Sequence, residues 1–369
     1  MTATAEEPGG GATPATPGNK ADRAIKRQRV LDVLAESGRD SLLLTTNTAL
    51  TWYLDGSRVH ISLAGDPIAA MLVDGDGDHL LTFNNEAARI AAEELPDGVA
   101  LHSVPWHGQL HAAAAMLAPG GAPLAEAEVA AELRAARQQF LPGESARYAM
   151  LCAETAAALT DVLSEATPET TEFGVGSALA ARIVAMGAEP LVLLCNGAER
   201  SEFRHPLPTH SPLGRRAMAV VCARRNGLVA NVTRWVRFDA GTPAELDAEA
   251  RIAAVEADVF DATVPGARLN GVFAEIREAY GRHGFGAGQW ALHHQGGPAG
   301  YAGRDPRATP STEETVVLNQ TFTWNPSGPG VKIEDTVQLT ESGIAVLSVD
   351  PRWPVAVVNG IRRPLTLQL

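Results

Sequence analysis

Cysteine is scarce in this chain. There are three, Cys152, Cys195 and Cys222, an odd number at wide spacings. That excludes a disulfide framework and fits a reducing compartment, so a cytoplasmic location is expected. No apolar run approaches the ~18 residues that cross a bilayer, and the first residues carry acids and glycines where a secretory leader has an apolar core. Positive charge is in deficit, with 30 Lys and Arg against 43 Asp and Glu and a net charge of −13. The basic clusters, such as Lys26-Arg27-Gln28-Arg29 and Arg224-Arg225, are short. Phosphate backbones need clustered cations, so neither nucleic acid nor membrane is expected as a partner. Aromatics make up 5% of the chain, with four Tyr beside ten His. Against that background the stretch Trp290–Arg304, WALHHQGGPAGYAGR, stands out: adjacent histidines, paired glycines, a tyrosine and an arginine.

The length of 369 residues suggests two domains and suffices for a core without disulfides or metals. Residues 1–21 are rich in Gly, Pro, Ala and Thr and predict a disordered tail. Residues 22–141 predict a small α/β domain. A helix from Asp22 should end near Gly38, followed by strands at Ser41–Leu44, Ile68–Val73 and His79–Phe83, the last two joined by the hairpin signal Asp74-Gly75-Asp76-Gly77. Residues 142–369 read differently. A helix at Arg147–Glu165 and another from Thr171, capped by Gly187, precede strands at Pro190–Cys195, Ala217–Ala223 and Leu228–Val232. Two further helices, Ala244–Val264 and Leu269–His283, precede strands at Gln289–His293, Val316–Trp324 and Thr336–Thr340. Helix pair, strands, helix pair, strands suggests an internal duplication.

Four segments carry spacing that resembles the pita-bread family of creatinase, aminopeptidase P, prolidase and methionine aminopeptidase. They are Asn226-Gly227 with Asn231-Val232-Thr233-Arg234, then Leu292-His293-His294-Gln295-Gly296-Gly297, then Trp324-Asn325-Pro326, and Gly330-Val331-Lys332-Ile333-Glu334-Asp335. The first domain, with its ALTWYLDG stretch, is similar to the N-terminal domain of the creatinase and aminopeptidase P members. The resemblance implies an α+β fold: a pita-bread C-terminal domain behind a smaller α/β domain, assembled as a homodimer.

Peptidases of that family hold two divalent metals with two Asp, one His and two Glu. By the resemblance those positions fall on Val220 (or Cys222 after a short slip), Asn231, His294, Asn325 and Glu334. A single carboxylate and a neutral imidazole offset little of the charge of two divalent cations. No metal and no cofactor are therefore expected. Creatinase has lost its metals too and works through a histidine ahead of the central strands, where this chain has His205. A histidine titrates near neutrality and can take and return a proton unaided; the competing reading is a structural histidine at a His-Pro turn. Tyr301-Ala302-Gly303-Arg304 reproduces creatinase's Tyr-x-Gly-Arg, so Arg304 is expected to clamp a substrate carboxylate, unless it pairs with Asp305. Glu334 suits an amidine, guanidinium or ammonium group, unless it pairs with Arg234. His294 would orient His205 or touch substrate; His293, its strand neighbour, should point away and be structural. Asn231 and Asn325 offer donor and acceptor to a neutral polar group. Thr233 stands where creatinase has a substrate-contacting Glu, which argues against creatine as substrate. Cys222 reads as a core cysteine rather than a nucleophile. Tyr301 and Trp324 would wall the pocket, and Arg58, with His60, would reach a partner subunit's site.

The expectation is a metal-independent, creatinase-like enzyme acting on an amide, amidine or ureido C–N bond of a small amino-acid-like molecule, with His205, His294 and Glu334 as its catalytic residues. Three alternatives stay open: a non-hydrolytic elimination or cyclisation on the same site, an inactive peptide-binding module, and a metal-dependent Xaa-Pro peptidase.

Overall fold

The computed structural model describes residues 19–369. The expected disorder of residues 1–18 lies outside them. Within the rest of that expected tail, Asn19 already caps a helix: its side chain accepts from the Ala21 amide, and α1 runs Lys20–Ser37 until Gly38 turns left-handed at φ 65°, a routine conformation for a residue without Cβ.

The first sheet is mixed. Its strands are β1 (Ser41–Leu44), β2 (Ala69–Asp74), β3 (Asp78–Phe83), β4 (Val99–Val104) and β5 (Leu124–Ala125), in the order β4-β3-β2-β1-β5. The expected hairpin joins β2 to β3, and Asp74 closes it by accepting from the amides of Asp76 and Gly77 at 2.8 and 2.9 Å, an Asx turn. Helices α2 (Asn47–Tyr53), α3 (Ala87–Arg89, continuing as a π-turn over Ile90–Glu94), α4 (Leu110–Leu117) and α5 (Ala130–Gln138) complete this region.

Helix α6 (Pro142–Ser164) starts with Pro at its first position, where the missing N–H costs nothing. Its partner α7 (Glu172–Ala185) is capped by Thr171. Strands β6 (Glu189–Asn196), β7 (Arg216–Arg225) and β8 (Leu228–Arg237) then form an antiparallel sheet. Next come α8 (Pro243–Ala262), with a Thr242/Glu245 capping box, and α9 (Leu269–Arg282). The second antiparallel sheet follows, made of β9 (Gly296–Pro298), β10 (Thr321–Trp324), β13 (Asp335–Thr340) and β14 (Gly343–Val346) in the order β14-β13-β10-β9, with a separate two-stranded pair, β11 (Ser327–Gly328) and β12 (Val331–Lys332), between β10 and β13 in the chain. A terminal hairpin, β15 (Val355–Val358) and β16 (Ile361–Pro364), leads to β17 (Leu367–Gln368), which pairs parallel to β8. The order of two helices and then antiparallel strands occurs twice.

The expected strand over Gln289–His293 is absent. Gln289–Leu292 is a 3-10 turn, and the strand begins at Gly296. The glycines decide this. Gly296 has φ 99°, and a Cβ there would sit 2.1 Å from the Thr323 carbonyl oxygen; only Gly lets β9 lie so close to β10.

The β7–β8 hairpin turns through Asn226 and Gly227, both at positive φ (49° and 81°), the pattern of a type I′ turn. Its tip docks on the first region: Asn226 Nδ2 donates to the Gly56 carbonyl at 3.1 Å. Behind the hairpin, Ala219, Val221, Ala230 and Val232 face a core shared with α6, α7 and α2. The alternate residues face the other way, into the seam where β8 meets the segment before β13. There the Thr233 amide donates to the Glu334 carbonyl at 3.0 Å. Among the described residues no helix is long and apolar enough to cross a membrane.

Candidate functional site

A cavity of about 810 Å³ opens over that seam. Period-two alternation puts Val220 and Cys222 of β7 beside their cross-strand partners Thr233 and Asn231 of β8 on one face. Val220, Cys222 and Asn231 line the cavity with Asn325 at the end of β10, Lys332 of β12 and Glu334. The loop after β9 adds Arg304 and Arg307; the loop before β7 adds His205; and residues of β6 form an apolar wall.

Glu334 is 2% exposed. One carboxylate oxygen accepts from the Thr233 hydroxyl at 2.7 Å and lies 2.8 Å from Lys332 Nζ; the other accepts from Arg304 Nη2 at 2.7 Å. Burial by itself would raise its pKa, but the adjacent Lys332 and Arg304 charges reverse that and hold it well below the usual carboxylate range. Both oxygens are therefore occupied. The expected role of Glu334 as host for an amidine or ammonium group is corrected: its cationic partners are Lys332 and Arg304. The alternative pairing with Arg234 fails as well, since Arg234 bonds Asp335 at 2.9 Å. Thr233 orients Glu334 and does not itself reach the cavity lining.

Three imidazoles stand opposite. The Nε2 atoms of His205 and His293 are 3.0 Å apart, and the His293 and His294 rings stack with centroids 4.4 Å apart. The expectation that His293 points away is corrected. It rested on strand alternation, and no strand exists at 293–294. All three rings are held neutral. Burial and then Lys332 lower His205; burial, Lys332 and His294 lower His293 to about 2; burial and then Arg304 lower His294 to about 4. Cys222 is a thiol, its pKa pushed up to about 12 by burial and by Glu334.

Asn231 spends its Nδ2 on the Val229 carbonyl at 3.0 Å and the Thr323 hydroxyl at 3.4 Å, leaving Oδ1 available. Asn325 is 2% exposed, and its Oδ1 is buried without a partner. Tyr301 and Trp324 are not cavity walls. The Tyr301 hydroxyl donates to Glu144 at 2.8 Å, next to Lys26 and deep between α6 and α1. Trp324 is wholly buried, stacked on Phe322 in the core of the second half. Both aromatics were assigned from sequence neighbourhood, but their side chains leave the backbone on the core side. Arg58 lies outside the cavity and pairs with Glu94 at 2.5 Å. His60 binds Glu189 at 2.7 Å.

Lys332 escaped the sequence reading as a site residue. Its signal was rarity: the chain has three lysines, Lys20, Lys26 and Lys332, and a buried one demands a partner.

Two sets of side chains could face a metal. The positions that the resemblance assigns to ligands carry Val220, Asn231, His294, Asn325 and Glu334, and the single carboxylate is already neutralised by two cations. That set does not suit a pair of divalent ions. The other set is the histidine trio, whose ring nitrogens lie within 4.8 Å of one another. Metal-bound histidines are normally anchored through the second ring nitrogen; the Nδ1 atoms of His293 and His294 are buried with no partner, and Lys332, Arg304 and Arg307 face the trio.

Many solved structures share the fold. A prolidase from Pyrococcus horikoshii OT3 aligns at TM-score 0.74 with 16% identity, over 89% of this chain and 99% of its own. The dipeptidase PepE from Mycobacterium ulcerans aligns at TM-score 0.74 with 17% identity, over 95% and 99%. The N-terminal domain of the FACT complex subunit SPT16 from Cicer arietinum aligns at TM-score 0.63 with 11% identity, over 89% and 95%. A comparison with curated proteins returns no match. The description "Metallopeptidase family M24" matches residues 144–341, the span from the start of α6 to the end of β13. The chain therefore belongs to metallopeptidase family M24 and has the pita-bread fold of its prolidases.

Proposed function

We propose that this family member is a metal-independent enzyme that hydrolyses an amide or ureido C–N bond of a small amino-acid-like substrate, with His205 as the acid–base group. The observation that carries this reading is the ion cluster at Glu334. Lys332 and Arg304 supply the positive charge that a metal pair would otherwise bring to this carboxylate. Divalent ions added beside two resident cations would meet repulsion instead of compensation.

The Nε2 atoms of His205 and His293 are 3.0 Å apart; in the tautomer with the proton on His205 Nε2 and donated to His293, His205 Nδ1 is free as a base. A water placed over the cavity floor loses a proton to that nitrogen as its oxygen attacks the substrate carbonyl carbon. His293, held neutral, accepts from the imidazolium that results. The C–N bond then breaks, His205 returns the proton to the leaving nitrogen, and the products are an amine and a carboxylate, or an amine (or ammonia) and a carbamate from a ureido substrate. His294 and the Asn231 and Asn325 amides orient the carbonyl and the tetrahedral intermediate. Arg304 and Lys332 keep donors for a substrate carboxylate beyond those given to Glu334. The occupied Glu334 disfavours a guanidinium or amidine substrate. A homodimer in which Arg58 borders the partner's cavity belongs to the same reading.

Elemental mass spectrometry on protein purified without chelator tests it. The expected result is less than about a tenth of an equivalent of transition metal, with turnover of amide or ureido acids unaffected by chelator. About one to two equivalents, lost together with activity on chelation, would transfer the site to the metal-dependent peptidases.

A further inference from the structure

The charged side chains that line the cavity are Arg304, Arg307, Lys332 and Glu334: three cations against one carboxylate, beside imidazoles that are neutral at pH 7. In a protein of net charge −13 this is a local inversion of sign, and low-dielectric walls strengthen its pull on anions. Arg307 is exposed and lines the cavity, and among the described residues no carboxylate pairs with it. Arg304 and Lys332 lie at the floor, where one negative charge, Glu334, faces their two. The lining thus carries two positive charges more than its one carboxylate offsets.

Two further features narrow the ligand. Asn325 lines the cavity, and its Oδ1 is a buried acceptor with no partner. Leaving such a group unpaired is costly, and a turn of the Asn325 amide toward the cavity would let an N–H of a bound ligand satisfy it. The opposite wall is apolar: Leu191, Val192 and Leu207, 40%, 37% and 69% exposed, stand beside Val220. Large side chains left uncovered around a polar floor mark the place for an apolar portion of a ligand.

We infer that the substrate is an N-acylated amino dicarboxylate. One carboxylate meets Arg304 and Lys332, the second meets Arg307, the amide N–H points at Asn325, and the acyl chain lies along Leu191, Val192 and Leu207. This rests on the hydrolase reading for what happens to the amide bond, but the recognition stands or falls on binding alone.

The test is calorimetric titration of the full chain, as wild type and as His205→Asn, in which turnover should be slow on the timescale of the titration. The probes are N-hexanoylglutamate, N-hexanoylglutamine, N-acetylglutamate and zinc chloride. The expected order is N-hexanoylglutamate tightest, with the glutamine analogue about tenfold weaker for the loss of one charge-assisted contact, and the acetyl analogue about tenfold to a hundredfold weaker, since it lacks four methylenes that an open wall buries only in part. Arg307→Ala should erase the difference between glutamate and glutamine, and Arg307→Lys should restore most of it; Arg307 is exposed, so neither threatens the fold. Equal binding of glutamate and glutamine analogues, or stoichiometric zinc binding that the acyl amino acid does not oppose, overturns the inference. The discrimination in His205→Asn without hydrolysis by wild type would leave it standing and sink the hydrolase reading. Hydrolysis of monocarboxylate and dicarboxylate amides at equal efficiency would do the reverse.

Discussion

Lys332 Nζ lies 2.8 Å from Glu334 Oε2, and both side chains are buried. Removing one member of such a pair leaves a desolvated charge, which costs far more than the pair contributes. Lys332→Met should destabilise the protein by about 3 kcal/mol, at the low end of that range because Arg304 still faces Glu334. Lys332→Arg should lose much less. Urea denaturation of the three proteins measures this. A site that ordinarily held divalent ions would behave in the opposite way, since Lys332→Met would then vacate room beside the carboxylate and divalent ions would raise its midpoint.

The same lysine sets a pH dependence. His205 must be neutral to act as a base, and burial and then Lys332 lower its pKa. The acid limb of kcat/KM should therefore fall below the ordinary histidine value of about 6.5, and Lys332→Met should move that limb upward. His205→Asn should reduce the rate by about 10²- to 10⁴-fold while leaving the unfolding midpoint in place. An acid limb that does not move in Lys332→Met would remove His205 from the role.

Much of this site was legible in the sequence because its members sit at fixed spacings on strands. Asn231, Asn325 and Glu334 lie on the cavity side where the family pattern places them, since alternation along β8 and the β10 register leave them little choice. Arg304 and His205 also reach the cavity, although they lie on loops. The failures were of two kinds. Side-chain direction off a strand cannot be read from letters, so His293 turned inward and Tyr301 and Trp324 turned to the core. Partner choice among several carboxylates and arginines depends on tertiary approach: Glu334 chose Arg304 and Lys332, Arg234 chose Asp335, and Lys26 took Asp55 and Glu144 at 2.5 and 2.7 Å. The long helices and the β2–β3 hairpin were readable because caps and turns are local.

The neutral histidines make the fold sensitive to acid. His293, lowered to about 2 by burial, then Lys332 and His294, and His294, lowered to about 4 by burial and then Arg304, take up protons in the unfolded chain near pH 6.5 but not in the folded one. Between those limits the unfolded state binds more protons, so stability falls as pH falls. Each histidine contributes about 1.4 kcal/mol per pH unit below 6.5, His294 until pH approaches 4 and His293 further. His293→Asn should flatten the decline between pH 6 and pH 4.5 by roughly half of the share due to the pair. Proton uptake on unfolding, measured at pH 5 in buffers of different ionisation enthalpy, checks the sign directly; an unchanged uptake in His293→Asn would mean that His293 is already protonated in the folded protein.

The hairpin that carries Asn231 is positioned by its tip, which can be tested at Gly227. That residue has φ 81°, and a Cβ there would lie 2.4 Å from Thr51 Cγ2 and 2.9 Å from Tyr301 Cδ1. Two costs therefore add in Gly227→Ala: about 1–2 kcal/mol of left-handed strain and about 1–3 kcal/mol of overpacking. Gly98→Ala separates them, because Gly98 has φ 80° with nothing within 4 Å of its Cβ position and should show the strain alone. Thr51→Ser removes the nearest methyl and keeps the hydroxyl that accepts from Arg224 at 3.3 Å. In the double variant Thr51→Ser with Gly227→Ala, part of the packing cost should return while Tyr301 still crowds the site, giving a favourable coupling of about 0.5–1.5 kcal/mol. If the tip also sets the register of Asn231 and Thr233 over the cavity, Gly227→Ala should weaken substrate binding, and Gly98→Ala should not. A Gly227→Ala loss no greater than that of Gly98→Ala would mean that the hairpin tip is not held against α2, and that the cavity floor is fixed by β8 and the Glu334 segment alone.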